Sequence, residues 1–198
     1  TVLSRGLGDV YKRQLVNDAD IARDAGLNHV TARNYKTLLK MLFLNFEIPP
    51  WYRNIGKRLV KSPKSYLIDS LLLCHILQYE LDNLEKNRVN IFGHILENFV
   101  ATELLKLLSY SEEKSSLYHF RTSDNKEVDF VLEQRDGKLA AIEVKNSEYV
   151  AISDFKGIKT LQSLVKKDFI SGIVLYRGEE VINFDDNLWA VPLSNLWF

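Results

Sequence analysis

The chain has 198 residues, 26 Lys or Arg against 26 Asp or Glu, and is 46% hydrophobic, which suits a folded chain with one good core or two small ones and excludes a disordered or fibrous one. A single cysteine, Cys74, rules out an internal disulfide and fits a reducing cytoplasm, and four scattered histidines (29, 75, 94, 119) give no zinc-type cluster. The longest apolar run, residues 71–77, is too short to span a bilayer and no secretory signal precedes it, so a cytoplasmic protein without a membrane partner is expected.

Zero net charge conceals a division. Residues 1–66 hold twelve Lys or Arg against five Asp or Glu, a net +7, and residues 67–198 hold fourteen against twenty-one, a net −7. A basic front half suits a phosphate backbone; an acidic back half suits a metal site.

Residues 4–14 resemble a translated library-adapter sequence, and residues 1–14 are set aside as a non-native segment. A short helix is expected over 17–25 with Asn17 as N-cap and Asp20 at the capping-box position. After a turn at Gly26, Leu27 and Asn28, a second helix runs over 29–42 with Val30, Leu38 and Met41 inward. The spacing is that of a helix-turn-helix, and residues 15–79 resemble a winged-helix domain. His29, Arg33, Lys36 and Lys40 form one basic stripe on the second helix, suited to a DNA groove or, more blandly, to a solvated face. A strand over 43–48 stops at Pro49 and Pro50, and residues 58–60 with 66–68 would form a wing carrying Lys57, Arg58, Lys61 and Lys64 as phosphate contacts. Trp51 and Tyr52 could stack on bases or pack an irregular loop.

A helix over 69–79 leads into a polar connector over 80–90, followed by a second domain over 91–198. Its first helix, 90–108, carries an apolar stripe of Phe92, Leu96, Phe99, Val100, Leu104 and Leu107, flanked by Glu97. Gly93 and Ala101 lie one turn either side of Glu97 and would allow close approach of another element. A strand over 118–122 follows, then a hairpin, a helix over 153–167 with Ser153 as N-cap and Ile158, Leu161, Leu164 and Val165 inward, a buried strand over 169–176 and a last strand over 188–193.

The hairpin carries the chemistry. Asp129 lies on its first strand, and Glu143 and Lys145 two apart on its second, sharing a face. A two-residue turn at Asp136 and Gly137 would pair 129 with 144 and place Asp129 on the wrong face. A three-residue loop with Gly137 left-handed pairs 129 with 143 instead, with Cβ atoms about 5 Å apart. Like charges so placed call for a cation, and two carboxylates suit Mg²⁺ or Mn²⁺ with waters completing the shell. Lys145 would orient or activate water, or stabilise charge on a phosphate. The bland alternative is a surface hairpin with a Glu-Lys pair.

This order, a helical glutamate, then Asp, then Glu-x-Lys, resembles the PD-(D/E)xK superfamily of restriction-endonuclease-like nucleases. More closely, residues 93–100, Phe120-Arg121 with residues 127–130, and residues 142–145 look like the C-terminal region of prokaryotic AAA-type ATPases, a domain of unknown function. The resemblance implies an α/β fold: a winged helix, then a restriction-endonuclease-like core with a mixed central sheet flanked by helices. It implies Asp129, Glu143 and Lys145 as active-site residues of a Mg²⁺-dependent endonuclease, Glu97 as an auxiliary acid and DNA as partner. A glycine expected after Asp69-Ser70 is replaced by Leu71, which bears on a local turn. No G-x-x-x-x-G-K-[ST] occurs, so no ATP site lies in this chain, and the resemblance places an ATPase domain upstream of it. Two alternatives stand beside the nuclease reading: a non-catalytic regulatory or docking module closed by direct salt bridges, and sequence-independent DNA binding through the basic half alone.

Overall fold

A computed structural model describes residues 22–23, 26–53, 62–77 and 89–197; the short helix expected over 17–25 and the basic positions Lys57, Arg58 and Lys61 lie outside them, apart from residues 22 and 23. The chain divides into two compact units, one of Thr1–Ile48 and Val60–Thr102, the other of Pro49–Leu59 and Glu103–Phe198.

In the first unit, helix α1 (His29–Met41) starts where the Asn28 side chain accepts the Thr31 N–H at 2.8 Å. It ends at Leu42 and at Phe43, whose φ of +56° no helix continues. Ala32 is buried, whereas Val30, Leu38 and Met41, expected inward, are 67%, 49% and 70% exposed. Helical spacing groups residues on a face, but a small side chain can approach the body of the unit more closely than a large one, and here Ala32 does so. Strands β1 (Asn45–Ile48) and β2 (Lys64–Leu67) pair antiparallel, Asn45 opposite Leu67 and Ile48 opposite Lys64. The strand around Tyr66 is therefore hydrogen-bonded to β1. Helix α2 (Ser70–Ile76) is capped by the Asp69 carboxylate, which accepts the Leu71 and Leu72 N–H groups, so this turn needs no glycine. Leu67, Leu73, Cys74 and Ile95 form the apolar core of this unit. Asn98 donates to the Leu67 carbonyl at 3.0 Å and accepts the Leu67 N–H at 2.9 Å, taking the place of a strand partner.

Helix α3 (Val89–Tyr110) buries Ile95, Val100, Ala101 and Leu104 but also Glu97, Asn98 and Thr102; Leu107, expected in its apolar stripe, is 46% exposed. Among the described residues nothing lies within 4 Å of a Cβ built at Gly93, so none of them makes a close approach there.

The second unit is built on a six-stranded mixed sheet in the order β3-β4-β5-β6-β8-β7, flanked by helix. Its strands are β3 (Ser115–Arg121), β4 (Glu127–Gln134), β5 (Leu139–Val144), β6 (Phe169–Tyr176), β7 (Ile182–Asp185) and β8 (Leu188–Pro192). The first three run antiparallel, β5, β6 and β8 run parallel, and β7 pairs antiparallel with β8. Strand β7 escapes the sequence reading because it is only four residues long, with just Ile182 and Phe184 apolar, and is largely exposed. Helix α4 (Lys156–Val165) covers one face through Ile158, Leu161 and Val165. Leu164, also expected inward, is 50% exposed. A 3-10 turn over Ile152–Phe155 precedes α4, and Asp154 caps it by accepting the Ala151 N–H at 2.8 Å, so Ser153 is not the N-cap. Gly157 is indispensable to the docking of α4, because a Cβ there would lie 1.7 Å from the Glu127 carbonyl oxygen.

The segment after β1 supplies an aromatic anchor to this second unit. Trp51 donates its backbone N–H to the His119 carbonyl, His119 donates to the Pro49 carbonyl at 3.0 Å, and the indole N–H reaches Glu133 Oε1 at 3.1 Å. With 6% exposure and an edge contact to the Phe120 ring, Trp51 packs inside and does not present a stacking face.

Candidate active site

Local chemistry at residues 134–138 sets the geometry. Gly137 has φ +84°, its N–H donates to the Gln134 carbonyl, and Gln134 donates to the Lys138 carbonyl. This is the three-residue loop with a left-handed glycine, and it gives the pairing Glu133 with Leu139, Val131 with Ala141 and Phe130 with Ile142. The ladder ends at the Phe130–Ile142 pair, with Asp129 and Glu143 the next residues along the two strands, where β4 also shifts register against β3 between its Tyr118–Val131 and Phe120–Val128 pairs. Ala141 and Glu143 in turn oppose Gly172 and Val174 of β6, and Ala141 and Val174 belong to the cluster that α4 covers.

Asp129 is 8% exposed, and its Oδ2 accepts the Val144 N–H at 3.0 Å. The bond ties the carboxylate to the strand bearing Glu143. Lys145 Nζ donates to Glu143 Oε1 at 2.9 Å, with the lysine side chain 33% exposed and the glutamate 13%. This is a direct ion pair, but one open to water at the amine. Burial alone would push the Lys145 ammonium down; charge and hydrogen bonding from Glu143, then charge from Asp129 and Asp154, outweigh that and hold it above the ordinary lysine value. Lys145 is therefore a cation at neutral pH. As an ammonium it can donate hydrogen bonds and stabilise negative charge. Asp154, in the turn before α4, belongs to this electrostatic group, and only the tertiary fold places it there.

Glu97 lies in the first unit and is held there by two buried donors. Lys64 Nζ reaches its Oε1 at 2.9 Å and the Tyr66 hydroxyl reaches the same oxygen at 2.7 Å. Lys64, expected on an exposed wing, is 2% exposed, since only pairing with an acid makes burial of its charge tolerable.

The basic stripe on α1 is split. Lys36 and Lys40 bind Glu47 of β1 at 2.8 and 2.9 Å, which occupies both ammonium groups within the unit. His29 and Arg33 stand on the exposed surface. Burial would raise the Glu47 carboxyl, and hydrogen bonds and charge from the two lysines more than offset that and hold it below its ordinary value.

Among the described residues, no group of three or more His, Cys, Asp and Glu is arranged to hold a metal ion, and no helix is long and apolar enough to cross a membrane.

A family model described as a domain of unknown function, DUF4143, matches residues 92–196, and a second domain of unknown function, DUF8612, matches residues 1–83. Among curated proteins, Uncharacterized protein Mb2031c of Mycobacterium bovis and Uncharacterized protein Rv2008c of Mycobacterium tuberculosis are each 31% identical over 187 residues, 94% of this chain. The chain spans 40% of the length of these relatives. Among solved structures, a refined half-complex of Thermococcus gammatolerans McrB AAA+ hexamers with bound McrC overlaps 96% of this chain and 70% of that chain, at a TM-score of 0.37 and 10% identity. The DUF4143 match takes in more than half of the 198 residues, the acidic hairpin among them, and the chain belongs to the DUF4143 family.

Proposed function

We propose that the second unit carries a divalent-metal-dependent phosphodiesterase site of the PD-(D/E)xK kind, with DNA as substrate. One observation supports it above the rest: the Asp129 carboxylate accepts the Val144 N–H, next to Glu143, and Lys145 donates to Glu143 from two residues further along the chain. Mg²⁺ commonly takes one or two carboxylates and completes its shell with waters and phosphate oxygens, so this donor pair fits it or Mn²⁺ without a third acid. Asp129 and Glu143 would hold the ion. When bound, it supplies Lewis acidity and a water of lowered pKa. The Val144 N–H fixes the orientation of Asp129, and Lys145, as a cation, donates to the attacking water or to a non-bridging phosphate oxygen. In this reading Glu97, bound by Lys64 and Tyr66, serves the structure of the first unit and takes no part in the reaction.

We further read the chain as the region that follows the ATPase domain in a prokaryotic AAA-type protein, with a winged helix ahead of the nuclease-like unit. His29 and Arg33 are then the groups of α1 that reach a phosphate backbone, together with Lys57 and Arg58.

The Lys145–Glu143 bond favours a second reading, a docking module in which the polar cluster is an internal lock. Divalent-metal titration of the wild type and Asp129→Ala by calorimetry, with nicking of supercoiled DNA on the same preparations, separates the two. The phosphodiesterase reading expects metal binding and nicking in the wild type, and neither in the variant. A folded wild type that binds no Mg²⁺ or Mn²⁺ would leave the docking module.

A further inference from the structure

Residues 156–167 contain four lysines and no acid, in a half of the chain that is otherwise acidic. Helix α4 buries Gly157, Ile158, Leu161 and Val165 and turns Lys156, Lys159, Thr160 and Ser163 the other way, at offsets 0, 3, 4 and 7. With Lys126 and Ser153 these four line an open cleft of about 410 Å³. Lys156 and Lys159 are exposed, and neither has an acidic partner among the described residues. Their place in the first turns of α4 is the end at which the helix dipole disfavours cations. They do not serve the stability of their own helix, and a charge placed against that preference points outward.

We infer that this cleft binds the sugar-phosphate backbone of a nucleic-acid strand and leads it to the acidic hairpin. The identity of the polyanion rests on the phosphodiesterase reading. Two further observations link cleft and hairpin. Gly157 lies against the carbonyl of Glu127, two residues before Asp129, and the turn that lines the cleft carries Asp154, one of the acids acting on Lys145. Ammonium groups grip phosphates without reading sequence. Net negative charge elsewhere in this half confines the strand to the cleft.

The test uses the full chain with Asp129→Ala in EDTA, so that neither cleavage nor metal enters, and measures binding of a fluorescent DNA oligonucleotide against salt. Adding Lys156→Gln and Lys159→Gln is expected to lower the slope of log K against log[salt] by roughly 1.4 to 1.8, at about 0.7 to 0.9 per lost phosphate contact. Both side chains are exposed, so the melting temperature should not move, which separates lost contacts from lost fold. An unchanged slope overturns the inference. Equal competition by polyglutamate also overturns it, since the cleft would then be an acidic-protein dock. Nicking by the wild type with an unchanged salt slope would sink the cleft alone. A lost slope in a protein that never nicks would sink the phosphodiesterase reading and leave the cleft as a DNA-binding face.

Discussion

Two Lys-Glu pairs in this molecule share a distance of 2.9 Å and almost nothing else. Lys64 and Glu97 are sealed, at 2% and 10% side-chain exposure, with the Tyr66 hydroxyl donating to the same carboxylate oxygen. Lys145 and Glu143 stand at 33% and 13%, beside a second carboxylate fixed by a backbone N–H. In the first pair the desolvation already spent leaves each partner dependent on the other. In the second, water reaches the amine while the carboxylate stays largely buried. An acid and a lysine in contact do not by themselves reveal a site; the solvent around them does.

The comparison breaks first at Lys64. Lys64→Ala leaves a buried carboxylate without its ammonium and should destabilise the protein by about 3–5 kcal/mol, read as a large fall in thermal melting. A melting temperature within a degree of wild type would show that the pair is not sealed. Next comes Gly157→Ala. A methyl group driven into the Glu127 carbonyl must displace α4 from the sheet, at about 1–3 kcal/mol. If nicking by the wild type is established, this variant should lose more activity than its stability explains, because Asp129 and Asp154 ride on the elements that move. Lys145→Ala sharpens the contrast from the other side. Its stability cost should be under about 1 kcal/mol, with metal affinity nearly intact and nicking abolished. A variant that melts as early as Lys64→Ala would place the two pairs in one class.

The smallest effect is at Glu47. Its carboxyl is held below its ordinary value in the folded state, so its contribution to stability is complete above the unfolded carboxylate pKa and is lost as pH falls through the folded one. Glu47→Gln should therefore remove part of the loss of stability below about pH 4.5 and change little at pH 7. Parallel melting curves of both proteins from neutral to acid pH check this.

The hairpin loop was legible because its cause is local. Asp136 and Gly137 specify the loop, Gly137 must be left-handed, and the register follows by counting. Individual strands such as residues 169–176 and the helix over the sheet were legible from their apolar patterns, whereas the mixed sheet was expected from the family resemblance. Lys64 was not, since residues 62–65 read as a turn and their partner Glu97 is 33 residues away. Nor was the inward face of α1, where periodicity groups Val30, Leu38 and Met41 but only the neighbours decide that Ala32 is covered. Lys156 and Lys159 did leave a sequence signal, an acid-free basic run in an acidic half, which stands out once the tertiary fold brings Lys126 and Ser153 beside it.

Trp51 gives the chain an awkward history at the ribosome. Its indole partner Glu133 is 82 residues later in the sequence, so at about 5–20 residues per second some 4–16 seconds separate their synthesis. Through that interval a large aromatic side chain waits in the nascent chain with no pocket to enter. For those seconds the growing polypeptide carries an uncovered indole, until β3 and β4 supply Phe120 and Glu133.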